Sequence, residues 1–175
     1  MSSKPNQNLP TGLSHVEAGP DGRAEARMVD VGSKSVSARS ALARARLVFP
    51  VGVLPALQAG SGPKGSLEAI CATARTAGIL AAKRTGDLIP MCHPLGLDHV
   101  GVDFEVTDAD TLEIRTRAAC TGRTGVEMEA LTAASVAALT VYDMAKALTK
   151  GIRIEAVELL EKTGGKSGTW RSDRA

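Results

Sequence analysis

The segment EMEALTAASVAALTVYDMAKALTK, Glu127 to Lys150, sets the architecture. Its Ala, Leu, Met and Val content and its spacing favour one long helix, closed at Gly151 behind Lys146 and Lys150. Just before it, Val100, Val102, Phe104 and Val106 alternate with Gly101, Asp103, Glu105 and Thr107, and Leu112, Ile114 and Thr116 alternate with Glu113, Arg115 and Arg117. That period of two marks two antiparallel strands joined at Asp108-Ala109-Asp110. Just after it, Ile152, Ile154 and Ala156 alternate with polar neighbours in a last strand leading to Thr163-Gly164-Gly165-Lys166-Ser167-Gly168. Further out, Leu67, Ile70, Cys71, Ala74, Ala77, Gly78 and Ala81 recur at three- and four-residue steps, giving a helix from Gly65 to about Lys83 with a narrow stripe of small residues. A strand with one wet face is expected between Ser37 and Phe49, where Ala43, Arg44, Ala45, Arg46 and Leu47 alternate, and a short helix over Leu54 to Ala59. The order strand, helices, two strands, helix, strand predicts an α+β sandwich of ferredoxin-like type, with two main helices on one face of an antiparallel sheet.

Composition narrows the function. Hydrophobic residues make up 43% and charged residues 23% of 175, the balance of a globular domain rather than a disordered or membrane chain. Aromatic residues are only 2%, which forces a core of small aliphatic side chains and leaves few rings for stacking on nucleic-acid bases. A net charge of +2, without a basic run, gives no footprint for DNA or a lipid surface. Cys71, Cys92 and Cys120 sit at neither metal-ligand nor redox spacing, so free thiols in a reducing, cytoplasmic setting are expected. Residues 1–12 and 169–175 read as tails around a single domain, 13–168.

Three groups of residues offer chemistry. Gly60-Ser61-Gly62-Pro63-Lys64-Gly65 has the spacing of a dinucleotide fingerprint, but a helix rather than a strand is expected before it. Gly165-Lys166-Ser167 resembles the end of a phosphate-binding P-loop, yet Leu160 stands where its first glycine belongs. Both segments nevertheless offer bare backbone N–H groups beside a lysine, which suits phosphate oxygens. Met91-Cys92-His93-Pro94 is a stiff loop in which neighbouring side chains point apart, so His93 is expected to act and Cys92 to pack.

On the long helix, Glu127 and Glu129 start the first turn, where the positive end of the macrodipole favours them. Asp143 and Lys146 sit three apart at the other end, and Asp143 is expected at the edge of buried surface, lowering the proton affinity of Lys146 for acid/base work. Glu129 and Asp143 are fourteen residues apart in sequence, about 21 Å along one helix, too far to share one small centre. Either the substrate is long and anionic, or one of them acts across a subunit interface with another copy of the chain; the interface is the preferred reading.

Arg27-Met28-Val29-Asp30-Val31, Ala77-Gly78-Ile79 with Ala81-Ala82-Lys83-Arg84-Thr85, Asp87 to Leu95, Thr124 to Thr132, Tyr142-Asp143-Met144 with Lys146, and Gly164 to Gly168 together resemble the MoaC family, in the family's order from Leu13 to Gly168. The resemblance implies conversion of 3′,8-cyclo-7,8-dihydro-GTP into a cyclic pyranopterin with loss of pyrophosphate, downstream of a radical-SAM enzyme. It implies a homo-hexamer, a trimer of dimers, with active sites at subunit interfaces. It places substrate binding on Met91, Cys92, His93, Glu127, Met128, Glu129, Lys162 and Lys166, and catalysis on Asp143, Lys146 and Lys64. No resident metal or cofactor is implied, and magnesium accompanying the triphosphate is left open. The rival classes are a non-catalytic module for GTP-like nucleotides and a Cys/His metalloprotein.

Overall fold

Ala41, Ala43, Ala45 and Leu47 are buried while Leu42, Arg44 and Arg46 between them turn the other way, so the expected alternation forms strand β3, Ser37–Val48. The computed structural model describes residues 13–60 and 66–174. Before β3 stands a hairpin of β1 (Val16–Ala18) and β2 (Ala24–Ala26). After β3 come α1 (Val53–Gln58), α2 (Leu67–Ala82), α3 (Thr85–Leu88), β4 (His99–Asp108), β5 (Thr111–Gly122), α4 (Glu127–Ala145), β6 (Arg153–Thr163) and β7 (Trp170–Arg171). The larger sheet is antiparallel throughout, in the order β4-β5-β3-β6-β7.

Helices α2 and α4 lie against one another, α4 packing on β3, β5 and β6 and α2 on β4. The interface is built from small residues. Ala130, Ala134, Ala137, Ala138, Val141 and Ala145 bury one side of α4, as Ile70, Cys71 and Ala74 do on α2. At Gly78 the helices come so close that a Cβ would stand 3.0 Å from the Ala133 carbonyl oxygen and 3.3 Å from Ala137 Cβ. Buried Thr116 on β5 ties sheet to helix, its hydroxyl donating to the Ala130 carbonyl at 2.7 Å. The sheet's other face carries charge: Arg44 forks to Glu158 at 2.7 Å and Glu113 at 3.6 Å, and Glu113 also holds Arg115 at 2.6 Å.

Several expectations are corrected. The long helix stops at Ala145, short of Lys150, because Leu148 N–H bonds back to Ala145 O in a tight turn and the Tyr142 hydroxyl donates to the Lys150 carbonyl. Trp170 and Arg171, expected in the C-terminal tail, pair with Lys162 and Glu161 of β6. The exposed hairpin and α3 are additional to the expected elements.

Candidate active site

The chain reaches α4 through Thr124 and Gly125, and Glu127 folds back over Gly125 so closely that a Cβ there would collide with its carboxylate. The cap residue Val126 offers no side-chain hydrogen bond to the free N–H groups of the first turn. Glu127 and Glu129 occupy that turn, as expected. Glu129 is only 3% exposed, and burial, reinforced by the charge of Glu127 and opposed by a bond from its own backbone, pushes its carboxyl up to about 7.

Opposite this turn runs the proline-bounded loop. Thr85 anchors it: the buried hydroxyl donates to Ala82 O at 3.0 Å, Ile89 N–H bonds to Thr85 O, and Cys92 N–H bonds to Ile89 O. Gly86 lets the loop's return pass, since a Cβ there would stand 3.2 Å from Pro94 Cα. The result is a cavity of about 420 Å³ on which Met91, Cys92, His93, Glu127, Met128 and Glu129 all open. Its other side is closed by His15 from the hairpin and by Val29, Val31 and Lys34, and Ser167 reaches its rim. The residues alone put Cys92 in packing and the family resemblance puts it at the substrate; it lines the cavity beside His93, its thiol pushed up by burial and by Glu129.

A second cavity of about 430 Å³ adjoins at Lys34 and is lined by Ser35, Ser37, Arg39, Gly165 and Lys166. It presents three cations and no carboxylate. The Ser37 hydroxyl oxygen is buried without a hydrogen-bond partner among the described residues. The backbone at Gly164 and Gly165 has φ of 87° and 71°, and side chains there would strike the Ala38 carbonyl and the Arg39 guanidinium. Lys162 lines neither cavity but donates to Ser167, which lines the first.

Asp143 and Lys146 form an ion pair at 2.5 Å, but their side chains are 69% and 54% exposed and line neither cavity. The expected partial burial of Asp143 is thus not found. Nor is the expected lowering of Lys146, because the hydrogen bond and charge of Asp143 hold its ammonium above the ordinary lysine range while desolvation is minor. Lys64 lies outside the described residues.

His15, Lys34 and Arg39 emerge only from the structure. The one signal for Arg39 is pairing: β3 is flanked by β5 and β6, so its first residues stand between the two glycine-containing turns at Gly122–Gly125 and Gly164–Gly168. Among the described residues no group of three or more His, Cys, Asp and Glu side chains is placed to hold a metal ion. No described helix is long and apolar enough to cross a membrane.

Two adjoining cavities, one with a buried acid and a histidine and one with three cations, have the lining of a small-molecule site, the second suited to anionic groups. Residues 28–165 match the MoaC family, and the chain belongs to it. Among its relatives, the cyclic pyranopterin monophosphate synthase of Novosphingobium aromaticivorans is 56% identical over 160 residues, 91% of this chain and 97% of that protein. The protein of the same name from Chloroflexus aggregans is 51% identical over 164 residues, 93% and 95% of the two chains, and that from Thermomicrobium roseum 52% over 154 residues, 87% and 91%.

Proposed function

We infer that this chain is an enzyme of molybdenum cofactor biosynthesis that converts 3′,8-cyclo-7,8-dihydro-GTP into cyclic pyranopterin monophosphate and releases pyrophosphate. The observation that carries the reading is the junction of the Glu129 cavity with the Lys34, Arg39 and Lys166 cavity, in a chain whose relatives bear that synthase name over more than nine-tenths of their length. His93, Glu127 and Glu129, with Met91, Cys92 and Met128 around them, hold the guanine-derived ring and sugar; carboxylate oxygens accept from a guanine-type N–H edge. Lys162 and Lys166, with Lys64 and the bare backbone of Gly164 and Gly165, hold the phosphates and stabilise charge on the departing pyrophosphate.

The reaction opens one ring, closes a pterin ring and drives a ribose-derived oxygen onto the innermost phosphorus, breaking its bond to the pyrophosphate oxygen. Asp143 and Lys146 are the acid/base pair for these proton movements. In the isolated chain that pair is solvated and distant from the cavities. It becomes useful when a second chain covers it, drying the lysine and bringing it to that chain's cavity. The assembly proposed is the one the family resemblance implies, a homo-hexamer, a trimer of dimers, each site shared between chains. The succession β3-α2-β4-β5-α4-β6 with strand order β4-β5-β3-β6 supports a ferredoxin-like reading of the subunit.

The cytoplasm is the proposed compartment, since Cys71, Cys92 and Cys120 are all unpaired, and a radical-SAM enzyme supplies the cyclised nucleotide. No resident cofactor is proposed; a magnesium ion carried by the triphosphate belongs to the substrate. The test is incubation with the cyclised nucleotide, following pyrophosphate and the fluorescent oxidised pterin together. Equal amounts of both are expected. Binding of the nucleotide without pyrophosphate release would overturn the reading in favour of a non-catalytic module, and full activity in monomers verified by light scattering would sink the shared site.

A further inference from the structure

The Arg39 guanidinium hydrogen-bonds one segment and lies against another. Nε donates to the Gly122 carbonyl at 3.0 Å and Nη2 to the Arg123 carbonyl at 3.1 Å, both at the end of β5 on the way to α4. Nη1 lies against Gly165, at a position where any side chain would collide with it. Each segment needs such an anchor. The loop into α4 ends at a cap residue with no side-chain hydrogen bond, and the turn after β6 carries one internal backbone bond, Gly168 N–H to Gly165 O at 3.2 Å. The first segment leads to Glu127 and Glu129 in one cavity; the second carries Gly165 and Lys166 in the other and Ser167 in the first.

We propose that Arg39 is a positioning residue that locks the phosphate-holding turn to the loop entering α4, so that the ring cavity and the phosphate cavity keep one fixed separation. A planar fork can hold two carbonyls of one segment while its remaining edge fills the space beside the glycine of the other; a lysine ammonium on a flexible stem carries the charge without that geometry. The lock is set into β3, whose pairing with both β5 and β6 holds its backbone between the two segments. A ring and a triphosphate joined covalently in one substrate demand a set distance between their sites, and a small misplacement of reacting groups is costly in rate. The proposal rests on the functional reading above.

The test compares the wild type with Arg39→Lys and Arg39→Ala, each normalised to folded protein. For both variants kcat is expected to fall roughly tenfold to a hundredfold with KM changed about threefold or less. Low-millimolar guanidinium should restore turnover to Arg39→Ala. In a parallel hydrogen-exchange experiment, amides of 122–125 and 164–168 should lose protection together in both variants while α2 and α4 keep theirs. Wild-type kcat in Arg39→Lys, no rescue of folded Arg39→Ala, or loss of protection in only one of the two segments overturns the proposal. A wild-type protein that releases no pyrophosphate would instead overturn the functional reading, and hydrogen exchange would still decide whether Arg39 couples the two segments.

Discussion

Glu129→Gln removes a proton-binding group from the wall of the first cavity while keeping its shape. Glu129 is buried, and its folded carboxyl titrates near 7 against an ordinary value of 4.5. Between those values the folded protein keeps a proton that the unfolded chain has released, so the unfolded state binds fewer protons and stability falls as pH rises. Below the window both states are protonated and nothing is lost; above it the penalty is complete. The interval from 4.5 to about 7 sets a ceiling of about 3.5 kcal/mol at ~1.4 kcal/mol per pH unit. Water reaching the cavity reduces this to about 1–2 kcal/mol. Glutamine does not titrate, so Glu129→Gln should gain about 1–2 kcal/mol on wild type between pH 4.5 and pH 8. Urea unfolding followed by far-UV circular dichroism, at one protein concentration and several pH values, measures it. Parallel stability profiles for the two proteins would refute the reasoning.

Gly78→Val should cost about 1–3 kcal/mol, because its side chain meets the Ala133 carbonyl across the α2–α4 contact, and thermal melts would register it. Thr116→Val removes the buried bond to Ala130 and should cost about 1–2 kcal/mol in the same measurement. Asp143→Asn and Lys146→Ala, both exposed in the single chain, should keep the native far-UV circular dichroism of the subunit yet reduce turnover of the cyclised nucleotide about a hundredfold or more. Near-normal turnover in either variant would remove the pair from the mechanism.

Where side chains bury themselves in a regular pattern, the sequence foretold the structure. The Ala–Arg alternation of β3, the paired strands around Asp108 to Asp110 and the small-residue stripes of α2 and α4 each report a burial period that packing then uses. Elements that bury little left no such trace. The hairpin has six strand residues, all exposed, and α3 is one turn fixed by the Thr85 hydroxyl rather than by apolar spacing. The end of α4 depends on hydroxyl groups of Tyr142 and Thr149 that take over backbone partners, a competition composition does not announce.

The site divides along the same line. Met91 to His93 and Glu127 to Glu129 were recognisable as motifs, and the fold brings them onto one cavity. The packing reading of Cys92 rests on strict alternation of side chains, which applies to extended strands, whereas here Cys92 N–H turns back onto Ile89 O. The acid/base reading of Lys146 assumed burial that one chain does not supply. Arg39 was invisible because its role is written in three carbonyl and glycine contacts made by other segments.

The edge strand β7 carries the chain's single tryptophan, half-exposed and paired with Lys162. Intrinsic fluorescence from this protein is therefore a local gauge of the β6–β7 edge and the turn beside it. It brightens or dims with events there and is nearly blind to the alanine-packed interior, where α2 meets α4. A fluorescence transition that precedes the loss of helical signal would mean only that the rim has come away first.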